Sequence, residues 1–308
     1  ASAAVDEKER KGMAMKGYLM QMQPFSVNDG DGIRTTIFLA GCPLHCKWCA
    51  NPEGLRQHPV VGFYARLCIG CGACAAVCPK GIGIDLNAER EKCVSCGACV
   101  AACPKGARKA LVSLADADEI IAEAAKHQLF YRNSGGGVTL SGGEVLLQWQ
   151  FAAAVLAALR EQCIHTAIET AGFAPYEHLK AVADQCDRVL YDVKSMDDAV
   201  HRSYIGVSNR QILDNLCRLA DSGAEVIVRV PLIHNVNDSV ENITRTAELA
   251  AAHGIREIDL LPFHRLGESK YAVIQQPYTM PDATVPQEHI DALAALLRQR
   301  GFIVSIGG

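Results

Sequence analysis

From Gly135 onward the apolar positions of the chain alternate between two periods. Runs with strand spacing occupy Gly137–Leu140, Cys163–Glu169, Arg188–Val193, Glu225–Val230, Arg256–Phe263 and Phe302–Ile306. Between them lie segments with helical spacing: Leu147–Arg160, Pro175–Ala183, Arg210–Ala220 and Pro286–Arg300. A further helix is predicted to open with Asp238 and Glu241 at capping-box spacing and to stop at Gly254. In the 210–220 segment Ile212, Leu213, Leu216, Leu219 and Ala220 share one face. One earlier strand, Ile33–Leu39, precedes this series. Strand–helix alternation implies parallel strands covered by helices, as a complete or partial barrel or a doubly wound open sheet. No GxGxxG follows a strand, so the nucleotide-binding open sheet loses support.

Residues 58–110 break the alternation and are rich in Cys, Gly and Pro, which predicts an inserted domain. The expected division is an N-terminal tail at 1–16, partly an expression remnant, and a first strand with its cysteine motif at 17–57. The insert at 58–110 and the remaining α/β unit at 111–308 follow. The 308 residues carry 30 Lys and Arg against 34 Asp and Glu, a net charge of −4, which excludes the clustered basic footprint of a nucleic-acid binder. No apolar run reaches the roughly 18–20 residues of a membrane span, and the charged start lacks the apolar stretch of a signal peptide. A reducing, cytoplasmic setting is therefore expected.

Cysteine changes the picture. Eleven of the 14 lie between Cys42 and Cys103, which points to metal clusters rather than disulfides. Cys163, Cys186 and Cys217 stand alone in apolar contexts and read as buried small hydrophobes. Two stretches repeat each other, CIGCGACAAVCPKG from Cys68 and CVSCGACVAACPKG from Cys93. Each is C-x2-C-x2-C-x3-C-P, the run that binds 4Fe–4S clusters in bacterial ferredoxins, where the fourth Cys ligates the other cluster. Cys68, Cys71, Cys74 and Cys103 would then hold one cluster, and Cys93, Cys96, Cys99 and Cys78 the second. Gly72 and Gly97 let each loop wrap its three thiolates. The competing reading is a pair of zinc sites, which have no need of the triplet.

A third group, Cys42, Cys46 and Cys49, has C-x3-C-x2-C spacing and no local fourth ligand. It follows a strand, at the end where parallel α/β folds place their chemistry. Three thiolates suggest a cluster with one open iron; zinc completed by His45 or His58 is the alternative.

This spacing resembles the signature of radical SAM enzymes. DGDGIRTTIFLAGCPLHCKWCANPE (Asp29–Glu53) is similar to the opening of the glycyl radical enzyme activating enzymes. GGGVTLSGGE, IETAGF, DVK and LLPFHRLGESKY resemble that family's later motifs in the same order. The two-cluster insert resembles its extended members. The resemblance implies a partial (β/α) radical SAM barrel with an inserted ferredoxin-like domain and three 4Fe–4S clusters. S-adenosylmethionine (SAM) would bind the triad's open iron and be cleaved by one electron, the resulting deoxyadenosyl radical taking a hydrogen from a Gly of a partner glycyl radical enzyme. Flavodoxin or ferredoxin would supply the electron, and the protein alone would be monomeric.

The same resemblance assigns residues. Ser141, Gly142, Gly143 and Glu144 would bind the SAM amino group, the glycines allowing close backbone approach; alone they would read as a βα turn. Lys194 and Arg229 would contact SAM's polar groups and His264 its adenosine, against surface ion pairs as the bland reading. Asn51 would approach SAM, and Trp48 would pack on the cluster or the adenine. Glu169, Thr170 and Asp192 would hold a monovalent cation, against strand-end caps and ion pairs. Asp29, Gly30, Gly32 and Arg34 would face the partner's glycyl loop, against a tight turn with a salt bridge. A radical SAM enzyme acting on a small molecule or peptide, and a non-catalytic electron carrier, are the other functions weighed. The DGxGIR–NPE pairing around the triad disfavours the first, and the open third cluster the second.

Overall fold

The computed structural model describes residues 15–307; nearly all of the expected tail lies outside the described residues. The strands are β1 (Lys16–Ser26), β2 (Arg34–Leu39), β3 (Val60–Phe63), β4 (Arg108–Asp116), β5 (Gly137–Gly142), β6 (His165–Thr170), β7 (Arg188–Asp192), β8 (Val226–Leu232), β9 (Glu257–Pro262) and β10 (Ile303–Ile306). They form one sheet in the order β10-β9-β8-β7-β6-β5-β2-β1-β4-β3. From β2 through β5 to β10 every pairing is parallel. β1 adds to β2 antiparallel, β4 to β1 and β3 to β4 likewise. The central strands are buried on both faces, as a helix-covered parallel sheet requires. Helices Trp149–Glu161, Tyr176–Ala183, Arg210–Asp221, Val240–Ala252 and Gln287–Gln299 cover it, close to the predicted bounds. Leu156, Leu179, Leu216, Ile243 and Leu293 join Ile37, Leu140, Ile168 and Val228 in one core.

Several predicted features change. β1, β3 and β4 were not anticipated: β1 reads KGYLMQMQPFS, without the clean alternation of a one-sided strand, and is mostly exposed or half-buried. The capping box at Asp238 is not formed. Ser239 caps the helix by accepting from the Asn242 N–H, while Asp238 accepts from Asn235 N and pairs with His234. Cys163 is exposed and sits at φ +56°, so it is no buried hydrophobe; Cys186 and Cys217 are half-buried. β4 crosses the expected boundary at residue 110 and joins β1, stitching the cysteine-rich segment to the barrel sheet. That segment has its own small core of Val61, Phe63, Ile82, Leu86 and Ala107.

Arg34 is the chief correction to the opening motif. Its side chain is fully buried and cannot face a partner. The guanidinium donates to Thr139 Oγ1 at 2.7 Å, to Val138 O at 2.9 Å and to Asp31 O at 3.3 Å, tying the start of β2 to β5. Burial pulls its pKa down to about 10. Gly32, at φ +67°, lies against the backbone of Ser134 and Gly136, where a Cβ would come within 2.5 Å. The motif thus fastens the first parallel strand. Arg34→Met should leave these acceptors unpaired and lower unfolding free energy by about 1–3 kcal/mol. Asp31→Asn, at an exposed ion pair with Arg188, should cost less than about 1 kcal/mol. Denaturant midpoints of the two variants measure the contrast.

Candidate active site

The cysteine triad sits on the loop after β2, held from three sides. Gly41 N donates to Gly54 O at 2.6 Å and Cys42 N to Leu55 O at 3.2 Å, closing the loop on itself. His45 N and Lys47 N donate to Ile205 O and Tyr204 O, the C-terminal carbonyls of a helix over Asp198–Ile205. Leu44 packs with Ile205 and Ala171 beneath Cys42 and Cys46. From the far side, Tyr271 Oη donates to Cys49 O at 2.9 Å, and Lys270 bonds Asn51 Oδ1 at 2.7 Å and Glu53 at 3.0 Å.

The sequence reading passed over these supports. The helix had signals of its own: Asp197 caps it by accepting from Ala199 N and Val200 N, and Gly206 ends it at φ +90°. Lys270 and Tyr271 lie inside the quoted LLPFHRLGESKY run, where only His264 had been given a role.

Cys42, Cys46 and Cys49 line a cavity of about 620 Å³ that reaches Ser26, Asn28 and Asp29 before β2. That volume suits a cofactor-sized ligand. Trp48, Asn51, Ser141, Gly142, Gly143, Glu144, Glu169, Thr170, Asp192, Lys194, Arg229 and His264 line it too, so the expected SAM and cation residues do converge on one space. Burial pushes all three thiols up, Cys46 to about 12, so they need a metal to ionise them. Among the described residues no three His, Cys, Asp or Glu side chains close on a single ion; the cysteines ring cavities instead.

Within this space the roles differ from expectation. Gly142 is at φ +119°, and a Cβ there would meet Leu39 N and O at 2.5 and 2.3 Å; one on Gly143 would meet Gly41 O at 2.2 Å. The glycines are required by the neighbouring strand and the cysteine loop, not only by a ligand. Gly143 N donates to Leu39 O, and Glu144 N to Gly41 O. The buried Glu144 carboxylate accepts from Leu146 N, Thr170 Oγ1 and Ala171 N, a structural clasp between the turn and β6. The cation trio does not close into an oxygen cage. Glu169 pairs with Arg229 at 3.0 Å and accepts from Ser141, Asp192 pairs with Lys194 at 2.6 Å, and Thr170 is taken by Glu144. Two buried polar atoms here have no hydrogen-bond partner among the described residues, Asp192 Oδ1 and Arg229 Nε. Burial opposes the charge on Lys194 and on Arg229, but Asp192 beside the one and Glu169 beside the other raise both pKa values.

The seven other ligand candidates of the insert and Cys103 divide between two further cavities. One is lined by Cys68, Cys71, Cys74 and Cys103, the other by Cys78, Cys93, Cys96 and Cys99, with Cys74 at the edge of both. Gly72 at φ +74° and Gly97 at φ +79° start equivalent one-turn helices, Ala73–Ala76 and Ala98–Ala101, which carry Cys74 and Cys99.

Asp259 lies 4.0 Å from the Arg229 guanidinium. Burial lifts its carboxyl to about 6, against the opposing pull of Arg229. The folded chain therefore holds this proton more tightly than the unfolded chain, whose Asp titrates near ~3.9. Its contribution to stability is complete at low pH and is lost as pH rises toward about 6. Between pH ~5 and ~6 the slope is on the order of 1 kcal/mol per pH unit. Melting curves across that range should show the decline in the native chain and a flatter profile in Asp259→Asn.

The Radical SAM superfamily profile matches residues 36–250. The (2S)-3-sulfopropanediol dehydratase activating enzyme of Klebsiella oxytoca is 38% identical over 307 residues, covering 94% of this chain and 97% of that protein. The benzylsuccinate synthase activating enzyme of Thauera aromatica is 41% identical over 306 residues, covering 94% and 92%. Among solved structures, a radical SAM methyltransferase from Sphaerobacter thermophilus covers 99% of this chain and 80% of its own, at TM-score 0.55 and 15% identity, a likeness of fold alone. With the cysteine triad at the head of a parallel α/β barrel and this similarity along the whole length, the chain belongs to the radical SAM superfamily and, within it, to the activating enzymes of glycyl radical enzymes, which cleave S-adenosylmethionine reductively to place a radical on a partner's glycine.

Proposed function

We propose that this activase works with three 4Fe–4S clusters, one on Cys42, Cys46 and Cys49 and two in the segment 58–110. The observation that carries the count is the sorting of the insert cysteines into two cavities, one lined by four thiols and the other by five, both drawn from both repeats and sharing Cys74. The donor chemistry fits: thiolates from closely spaced loops, with backbone N–H groups of Ser95, Ala107 and Asn51 directed at Cys93, Cys103 and Cys49 sulfurs at 3.2–3.4 Å. Cys42, Cys46 and Cys49 would hold the cluster whose chemistry, when it is bound, would be the supply of one electron to the SAM sulfonium.

The chain's own residues do the rest. Arg229 Nε and Asp192 Oδ1 are the buried groups left to meet SAM's charged ends, with Asn51 and His264 at the wall. Apolar walls from Leu44, Trp48, Ile233 and Phe263 keep water from the radical. The partner's glycine comes in beside Asn28, Asp29 and Gly30. One electron and SAM yield methionine and the deoxyadenosyl radical; that radical takes the glycine Cα hydrogen, giving 5′-deoxyadenosine and the glycyl radical. A reduced flavodoxin or ferredoxin would supply that electron, and the cysteines of segment 58–110 would hold the two clusters for its relay. The protein acts as a monomer in a reducing cytoplasm, without membrane or nucleic acid.

The anaerobically reconstituted chain should contain about twelve irons, and Cys42, Cys46 and Cys49 changed together to Ala should leave about eight. A count unchanged by the triple substitution would remove the triad's assignment. With a cognate partner deuterated at its glycine Cα, SAM and reductant, deuterium should appear in 5′-deoxyadenosine. Unlabelled deoxyadenosine formed while a small molecule is consumed would move the chain to another radical SAM chemistry.

A further inference from the structure

Arg108 stands between the two cysteine cavities of the insert and lines both. It is 3% exposed. Its Nη2 donates to Ile84 O at 2.6 Å and Gly83 O at 3.2 Å, and lies 3.8 Å from Cys74 Sγ. The guanidinium is 4.5 Å from the centre of the Phe63 ring. Nε and Nη1 are buried and have no hydrogen-bond partner among the described residues. A guanidinium cannot shed its charge in a protein, and a buried cation without a counter-ion is strongly unfavourable. Among the described residues no carboxylate pairs with it; the two carbonyls and the Phe63 ring leave its charge unneutralised.

Thiolate-held clusters would explain it, because a 4Fe–4S core on four thiolates carries net negative charge. Resting on the three-cluster reading above, we infer that Arg108 is the shared counter-cation of the two insert clusters and sets their reduction potentials. Its unpartnered N–H groups are placed to bond cluster or cysteine sulfur, and its charge favours the reduced, more negative state. Cys74 Sγ, 3.8 Å away, is assigned with Cys68, Cys71 and Cys103 and borders both cavities, so Arg108 acts on that cluster directly and on its neighbour across the shared wall. Lys80 and Lys105 also border the cavities but are exposed, where solvent screens them. Arg108 is thus a positioning and tuning residue, not a catalytic one.

The test uses the full anaerobically reconstituted chain as the native protein, Arg108→Gln and Arg108→Lys. Iron content and redox-titrated EPR of the insert clusters are read in each. Arg108→Gln should keep its iron and become harder to reduce. The expected loss is at least tenfold in the reduction equilibrium constant of one cluster, about 59 mV for one electron. Arg108→Lys, which keeps the charge but loses the planar fork, should fall between. Potentials unchanged in both variants at full iron content would overturn the tuning role. Loss of insert iron from both variants would also overturn it, leaving Arg108 as a structural brace. A native chain that never holds more than about four irons would instead refute the insert clusters themselves, and the inference with them.

Discussion

Everything at the site depends on how closely two backbones approach each other. The end of β2 and its cysteine loop, Leu39 to Gly41, lie against Gly142 to Glu144 at the end of β5, joined by Gly143 N to Leu39 O and Glu144 N to Gly41 O. No side chain fits between them, because a Cβ on Gly142 or Gly143 would fall within 2.5 Å of backbone atoms. This contact sets where the three thiols stand relative to the rest of the cavity. Glu144 extends the constraint to β6 through Thr170 and Ala171, so three successive parallel strands are locked at their C-terminal ends. Pre-organisation of this kind lets a site present several groups to one ligand without reordering them.

The charges inside the barrel follow from the same confinement. Glu169 and Arg229 face each other across the sheet interior, Asp192 holds Lys194, and Asp259 adds a third carboxylate near Arg229. Paired in this way, two cations and three carboxylates tolerate burial that none would tolerate alone. The pairing is incomplete at Arg229 Nε and Asp192 Oδ1, and both belong to residues on the cavity wall. A zwitterionic ligand with a cationic sulfur suits that remainder.

The cysteine-rich segment is bound to the barrel at two places. β4 runs from its core into the main sheet beside β1. Asn87 and Arg90 bond the carbonyls of Ala272 and Val273, next to Tyr271, which holds Cys49 O. Few covalent and hydrogen-bonded steps therefore separate the insert from the triad's loop.

The parallel strands and their covering helices were legible in the sequence, because strands buried on both faces read as short continuous apolar runs and helices buried on one face as a 3.6-residue period. The three cysteine groups were legible for a different reason: C-x2-C and C-x3-C spacings stand out in the chain itself, while which thiols share a cavity, such as Cys103 with Cys68, only the fold decides. β1, β3 and β4 were not legible. Their pairing is antiparallel at the edge of the sheet; β1 and β4 are largely exposed or half-buried and show no clean alternation, and β3, though buried, is only four residues long. Neither were the fates of Arg34, Glu144 and Thr170, whose long-range partners lie 26 to 131 residues away. A polar residue at a strand end looks the same in sequence whether it meets a ligand or a distant backbone carbonyl. Tertiary structure alone decides which, since only the folded chain determines what fills the space in front of it.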